Sequence, residues 1–115
     1  MKSEIDQLIE EAKEEEKFFK NYLLWAKGIK KEVEKHIGKV KVFVFGSVLK
    51  KDQVPQDIDI LIVSPKFKEP TQKTKILSIL WEKLKIGDPF EIHLITPKDY
   101  KEWYRYFLDK KIEVK

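Results

Sequence analysis

Two carboxylates stand at the head of an apolar run, Asp57-Ile58-Asp59-Ile60-Leu61-Ile62-Val63, and they limit what the chain can build around it. The run is β-branched and reads as a strand over 58–63. Residues i and i+2 of a strand share a face, so Asp57 and Asp59 point the same way, roughly 7 Å apart at Cα. Ile58, Ile60 and Ile62 point the other way and need a core. Two acids on one face are costly to bury unless water or a ligand meets them. The sheet holding this strand therefore needs one covered face and one face that stays accessible near the acids.

A second strand is expected over 40–45, where Val40 to Phe45 alternates and is β-branched or aromatic. Gly46 follows it at once, and without a side chain it lets a bound group approach the backbone. Ser47 supplies a hydroxyl, and amides turning out of a strand can point at a phosphate. Hard oxygen donors beside such a cradle suit Mg²⁺, which binds one or two carboxylates and completes its shell with water and substrate phosphates. A Gly-Ser turn alone is an ordinary loop, and Asp-x-Asp alone is usually a strand end. Their combination in this order points to a metal and phosphate site.

Phe45-Gly46-Ser47, nine residues, then Asp57-Ile58-Asp59-Ile60 resembles the signature of the nucleotidyltransferase superfamily. In size the chain looks like the minimal nucleotidyltransferases of prokaryotes. The likeness covers 36–100 and is strongest over 42–63. Two positions depart from the pattern. Lys50-Lys51 stands where many minimal members carry Arg-Gly, and Gln56 stands where many have Ser. These changes bear on nucleotide affinity more than on fold.

The resemblance implies transfer of a nucleoside monophosphate from an NTP, ATP first, to a hydroxyl, with release of pyrophosphate. It implies Asp57 and Asp59 as catalytic and Mg²⁺-binding residues, with room for two ions, and Gly46 and Ser47 as the seat of the NTP phosphates. The family's third acid, usually Asp, lies on a neighbouring strand, and Glu91 occupies that place in a strand expected over 90–95. His93 shares its face. It reads either as a nucleotide or Glu91 contact or as a satisfied, partly buried histidine, and it is not placed in the catalytic set. Lys50 and Lys51 read equally as a triphosphate contact and as a solvated loop. The acceptor must come from outside the domain. Minimal nucleotidyltransferases often work beside a helical HEPN-type protein, some as antitoxins, so the competing class is a binding module that neutralises such a partner by contact.

The expected fold class is α/β (α+β): a mixed sheet with helices packed on one face and a long N-terminal helix. Ile5, Leu8, Ile9, Ala12, Phe19, Leu23 and Ala26 follow helical spacing, which predicts a helix over 4–36, capped by Ser3 with Asp6 and irregular at Gly28. The cluster Phe18, Phe19, Tyr22, Leu23, Trp25 and Ala26 is broader than one stripe and calls for cover on two sides, the second from the C-terminal helix or another chain. A second helix is expected over 71–85. Thr96-Pro97-Lys98-Asp99 opens a last one, over 97–110, with Tyr100, Trp103, Tyr104 and Phe107 as its stripe. Ile112 and Val114 fit a short edge strand.

At 115 residues the chain reads as one domain, 1–115, with its catalytic core over 38–100. A formal charge of +4 is too mild for an obligate nucleic-acid binder. With no cysteine and two histidines, disulfides and thiolate sites are excluded and a zinc site is disfavoured. No apolar run reaches membrane-span length and the N-terminus is charged, so a cytoplasmic location is expected. Self-association is left open. Charged residues make up 38%, mostly Lys and Glu, with Arg105 the only arginine; that balance resembles proteins of hot environments.

Overall fold

The computed structural model describes residues 3–52, 54–104 and 110–115, the side chain of Trp103 excepted. Four strands form one mixed sheet: β1 (Lys41–Phe45), β2 (Ile58–Val63), β3 (Phe90–Ile95) and β4 (Lys111–Val114). Their spatial order is β3-β2-β1-β4. β1 runs antiparallel to β2 and β4, whereas β2 and β3 are parallel. Parallel neighbours need a crossover, and helix α3 (Pro70–Leu84) provides it.

Alternation decides the two faces. Val42, Val44, Ile58, Ile60 and Ile62 are fully buried under α2 (Tyr22–Ile37) and α3, against Ala26, Ile29 and Val33 of one and Ile76 and Leu80 of the other. The opposite face buries Phe43, Leu61, Val63 and Ile95, over which Tyr100 and Tyr104 pack. Phe43 and Tyr100 stack with centroids 5.2 Å apart and planes 7° from parallel. β4 is the expected edge strand, and Val114 joins the main core.

The N-terminal helix is two helices rather than one. α1 (Glu4–Lys20) and α2 are separated at Asn21, whose φ and ψ of −114° and 25° leave the helical region. Gly28 stays helical. The Asn21 side chain donates to the Lys17 carbonyl at 3.1 Å, offering the backbone an alternative partner that glycine cannot offer. Ser3 caps α1 as expected, accepting from the Asp6 amide at 3.2 Å. Gly38 closes α2 at φ +80°.

The last helix also differs. Thr96 caps Pro97–Asp99, and the chain then widens into a π turn at Tyr100–Tyr104. Residues 105–109, including Phe107, lie outside the described residues, and β4 begins at Lys111. Tyr100 and Tyr104 of the π turn lie on the acid-bearing face and cap that second core, while α2 and α3 pack on the other face. Among the described residues no helix is long and apolar enough to cross a membrane.

Candidate functional site

Strand register brings the acids together. Asp59 pairs laterally with Glu91 across the parallel β2–β3 ladder, and His93 follows Glu91 by two on the same face. The antiparallel β1–β2 ladder sets Phe45 opposite Asp59, which places Gly46, the next residue, beside the Asp59 side chain. The site thus sits where β1 ends and β2 and β3 begin. A slip of one residue in either ladder would send Asp59 or Glu91 into the helix-covered core.

Asp59, Glu91 and His93 each offer a ligand atom, and these atoms lie within 4.8 Å of one another. His93 Nε2 is 3.4 Å from Asp59 Oδ1 and 3.7 Å from Glu91 Oε1. Asp59 and His93 are partly buried, while Glu91 is exposed. The His93 ring is flanked by Phe45, with centroids 5.3 Å apart, and by Tyr104 at 6.4 Å. Two carboxylates and an imidazole nitrogen at this spacing match the donor set of a divalent-cation site.

Gly46 is tied to the same carboxylate. Its φ of +86° with ψ of −156° belongs to a region that is essentially glycine-only. A Cβ there would overlap Asp59 Oδ2 and stand 3.2 Å from its Cγ. The bare backbone after β1 therefore lies directly against the Asp59 oxygen. Ser47 opens a single 3₁₀ turn, Ser47–Leu49, which closes with the Leu49 amide donating to the Gly46 carbonyl at 3.1 Å.

Beyond that turn, Lys50, Lys51, Lys110 and Lys111 line an open cavity of about 700 Å³ with Tyr22, Val48, Leu49 and Ile112. Lys111 is already engaged, donating to the Tyr100 hydroxyl at 2.6 Å and lying over the Phe43 and Tyr100 rings. Positive charge thus stands beside the glycine turn.

Of the residues singled out in the sequence, Gly46, Asp59 and Glu91 meet here, with Ser47 next to Gly46. Asp57 is exposed, precedes the first residue of β2, and stands outside the cluster of three. His93 is the third member of that cluster. Its signal was the i+2 spacing from Glu91, and only the β2–β3 register shows that the shared face ends on Asp59.

The chain matches the family model described as nucleotidyltransferase domain over residues 26–114. One similar solved structure is a crystal structure provisionally named a nucleotidyltransferase; it is 28% identical, with a TM-score of 0.66, covering 77% of this chain and 96% of that one. Another is a crystal structure at 1.40 Å from Sulfolobus solfataricus, provisionally named in the same way. It is 21% identical, with a TM-score of 0.58, covering 84% of this chain and 82% of that one, and it speaks to the fold alone. No curated protein matches.

Proposed function

Because the chain belongs to the nucleotidyltransferase domain family, we propose that it transfers a nucleoside monophosphate from an Mg²⁺-bound NTP, ATP first, to a hydroxyl on a partner molecule. The observation that carries this reading is the contact of Gly46 with the Asp59 carboxylate, at the point where Glu91 lies alongside. It supports a reading in which the turn after β1 and the carboxylates of β2 and β3 act on one substrate.

Asp59 and Glu91, with Asp57 a further carboxylate beside them, are the residues that would hold the cation, and His93 Nε2, 3.4 Å from Asp59 Oδ1, orients the Asp59 carboxylate. A divalent ion bound there would supply charge neutralisation for the phosphates. Gly46 and the Ser47 amide and hydroxyl seat the β- and γ-phosphates, and the lysines around the neighbouring cavity add positive potential. The acceptor oxygen attacks the α-phosphorus. The bond from the α-phosphorus to the bridging oxygen breaks, and pyrophosphate leaves. Glu91, exposed on the edge strand, is placed to orient the acceptor and receive its proton. Phe45 and Tyr104 hold the His93 ring in place. Most of the catalysis is then positioning and charge neutralisation.

The acceptor in this reading is a separate molecule. A helical HEPN-type protein is the partner class the family resemblance favours. Incubation with each labelled NTP, Mg²⁺ and such a partner tests the reading. Label should move to the partner with one pyrophosphate released per transfer. Partner binding with no transfer from any NTP would instead support the contact-only module.

A further inference from the structure

Helix α1 is not part of the catalytic fold. The family match begins at residue 26, and α1 ends at Lys20. None of its residues is buried. The last turn is anchored through Phe18, which meets Trp25 and Phe90 edge-on with centroids 5.1 and 5.4 Å apart. Backbone hydrogen bonding runs on through the break: the Asn21 amide donates to Lys17 and the Trp25 amide to Asn21. α1 therefore continues outward from the N-terminal end of α2 and does not fold back along it.

Its exposed length is amphipathic. Ile5, Leu8 and Ile9 are 70%, 63% and 48% exposed, on the stripe that Phe19, Leu23 and Ala26 carry into the body. A lone helix of this length is marginal in water, and a protruding one gains nothing from tertiary packing. Something must cover the stripe.

Charge says what. α1 carries seven carboxylates against three lysines. Two α1 helices laid together would set acid against acid. The chain's complementary surface is on α2, where Lys27, Lys30, Lys31 and Lys35, with Lys115 and Glu34, line an open groove of about 480 Å³. Lysine stems offer apolar surface to a stripe while their ammonium groups meet flanking carboxylates. Leu24, 70% exposed one turn before Lys27, extends the apolar floor. A chain cannot place its own α1 there, because α1 leads away from the end of the same helix. A second copy can. At about 1.5 Å per residue, Lys27 to Lys35 spans about 12 Å, well within the reach of α1.

We propose that the protein is a two-fold homodimer in which α1 of each copy lies in the α2 lysine groove of the other. Such an exchange is self-complementary and closed, so it stops at two. It uses no residue of the Gly46–Asp59–Glu91 site and stands whether or not the chain transfers nucleotides.

Sedimentation equilibrium of the intact chain at micromolar concentration and low salt tests it. The expected mass is twice 13.8 kDa, shifting towards one copy as salt screens the charges. Leu8→Glu with Ile9→Glu should give a monomer whose circular dichroism still reports the folded sheet. Lys30→Glu with Lys31→Glu, and separately Glu11→Lys with Glu15→Lys, should each weaken dimerisation roughly tenfold or more. The two reversed pairs combined should restore it. A wild type that is monomeric throughout overturns the proposal. So does a dimer that survives Leu8→Glu with Ile9→Glu, or a combined reversal that fails to rescue.

Discussion

Replacing Gly46 with alanine changes two things at once, and the structure separates them. The backbone at φ +86° and ψ −156° must hold a residue with a Cβ, a conformation that costs of order 1–3 kcal/mol for anything but glycine. The new methyl would also overlap Asp59 Oδ2. That oxygen is the end of a side chain and can swing away, so the overlap adds little to the stability loss. It does move a ligand oxygen out of the group shared with Glu91 and His93. We therefore expect denaturant unfolding to show a loss of about 1–3 kcal/mol, or roughly 4 °C in Tm for each kcal/mol. We also expect calorimetric titration with Mg²⁺-ATP to show a much larger loss of affinity than that strain explains. Asp59→Ala alone removes the ligand but not the strain. The pair Gly46→Ala and Asp59→Ala should then be non-additive for ATP binding and near-additive for stability. Unchanged stability and unchanged ATP affinity in Gly46→Ala would refute the reasoning outright. Loss of stability with intact ATP affinity would refute the coupling of the Gly46 turn to the Asp59 ligand oxygen.

Four other substitutions bear on the account. Glu91→Gln should slow transfer about 100-fold or more while ATP binding falls far less, since a positioned carboxylate contributes on that scale; rapid-quench and calorimetric measurements on the same protein separate the two. His93→Ala should weaken Mn²⁺ binding roughly tenfold, the scale of losing a supporting group at a metal site, as read by electron paramagnetic resonance. Phe67, only 2% exposed in the main core, should cost about 3–5 kcal/mol as Phe67→Ala in urea unfolding. Ser64→Ala should cost about 1 kcal/mol, because the buried Ser64 hydroxyl accepts from the Lys66 amide at 3.1 Å and caps the turn that follows β2.

The parts of the fold that could be read from the chain are those in which a local pattern has one solution. β2 and β3 fall where the period-2 runs predict, because a slip of one residue would bury Asp59 or expose the Ile58-Ile60-Ile62 face. The caps at Ser3, Gly38 and Thr96 depend on a few adjacent atoms and were equally legible. The helix break was not. The apolar stripe runs unbroken through Asn21, whereas Gly28, the obvious suspect, sits in a regular helix where an added Cβ would meet nothing within 4 Å. Asn21 leaves the helix through a side chain bond to its own chain, which no periodicity reveals. The C-terminal segment was expected as one helix, and a single cap and an aromatic stripe cannot tell an α-helix from a turn that widens after three residues. At the site, the placing of Asp59 beside Glu91 needed only the strand faces. The entry of His93, and the exclusion of Asp57 from the cluster, needed the lateral pairing of two strands thirty-odd residues apart.

The central claim is that Asp59 holds a cation against the Gly46 turn and so binds an NTP. Calorimetric titration of wild type and Asp59→Asn with Mg²⁺-ATP tests it most directly. The wild type should bind one ATP per chain, in a manner that fails when Mg²⁺ is chelated. Asp59→Asn, which keeps the shape and removes the charge, should bind at least about tenfold more weakly, a loss of 1.4 kcal/mol or more. Equal affinities in the two proteins, or ATP binding that persists in the wild type without a divalent ion, would contradict the account.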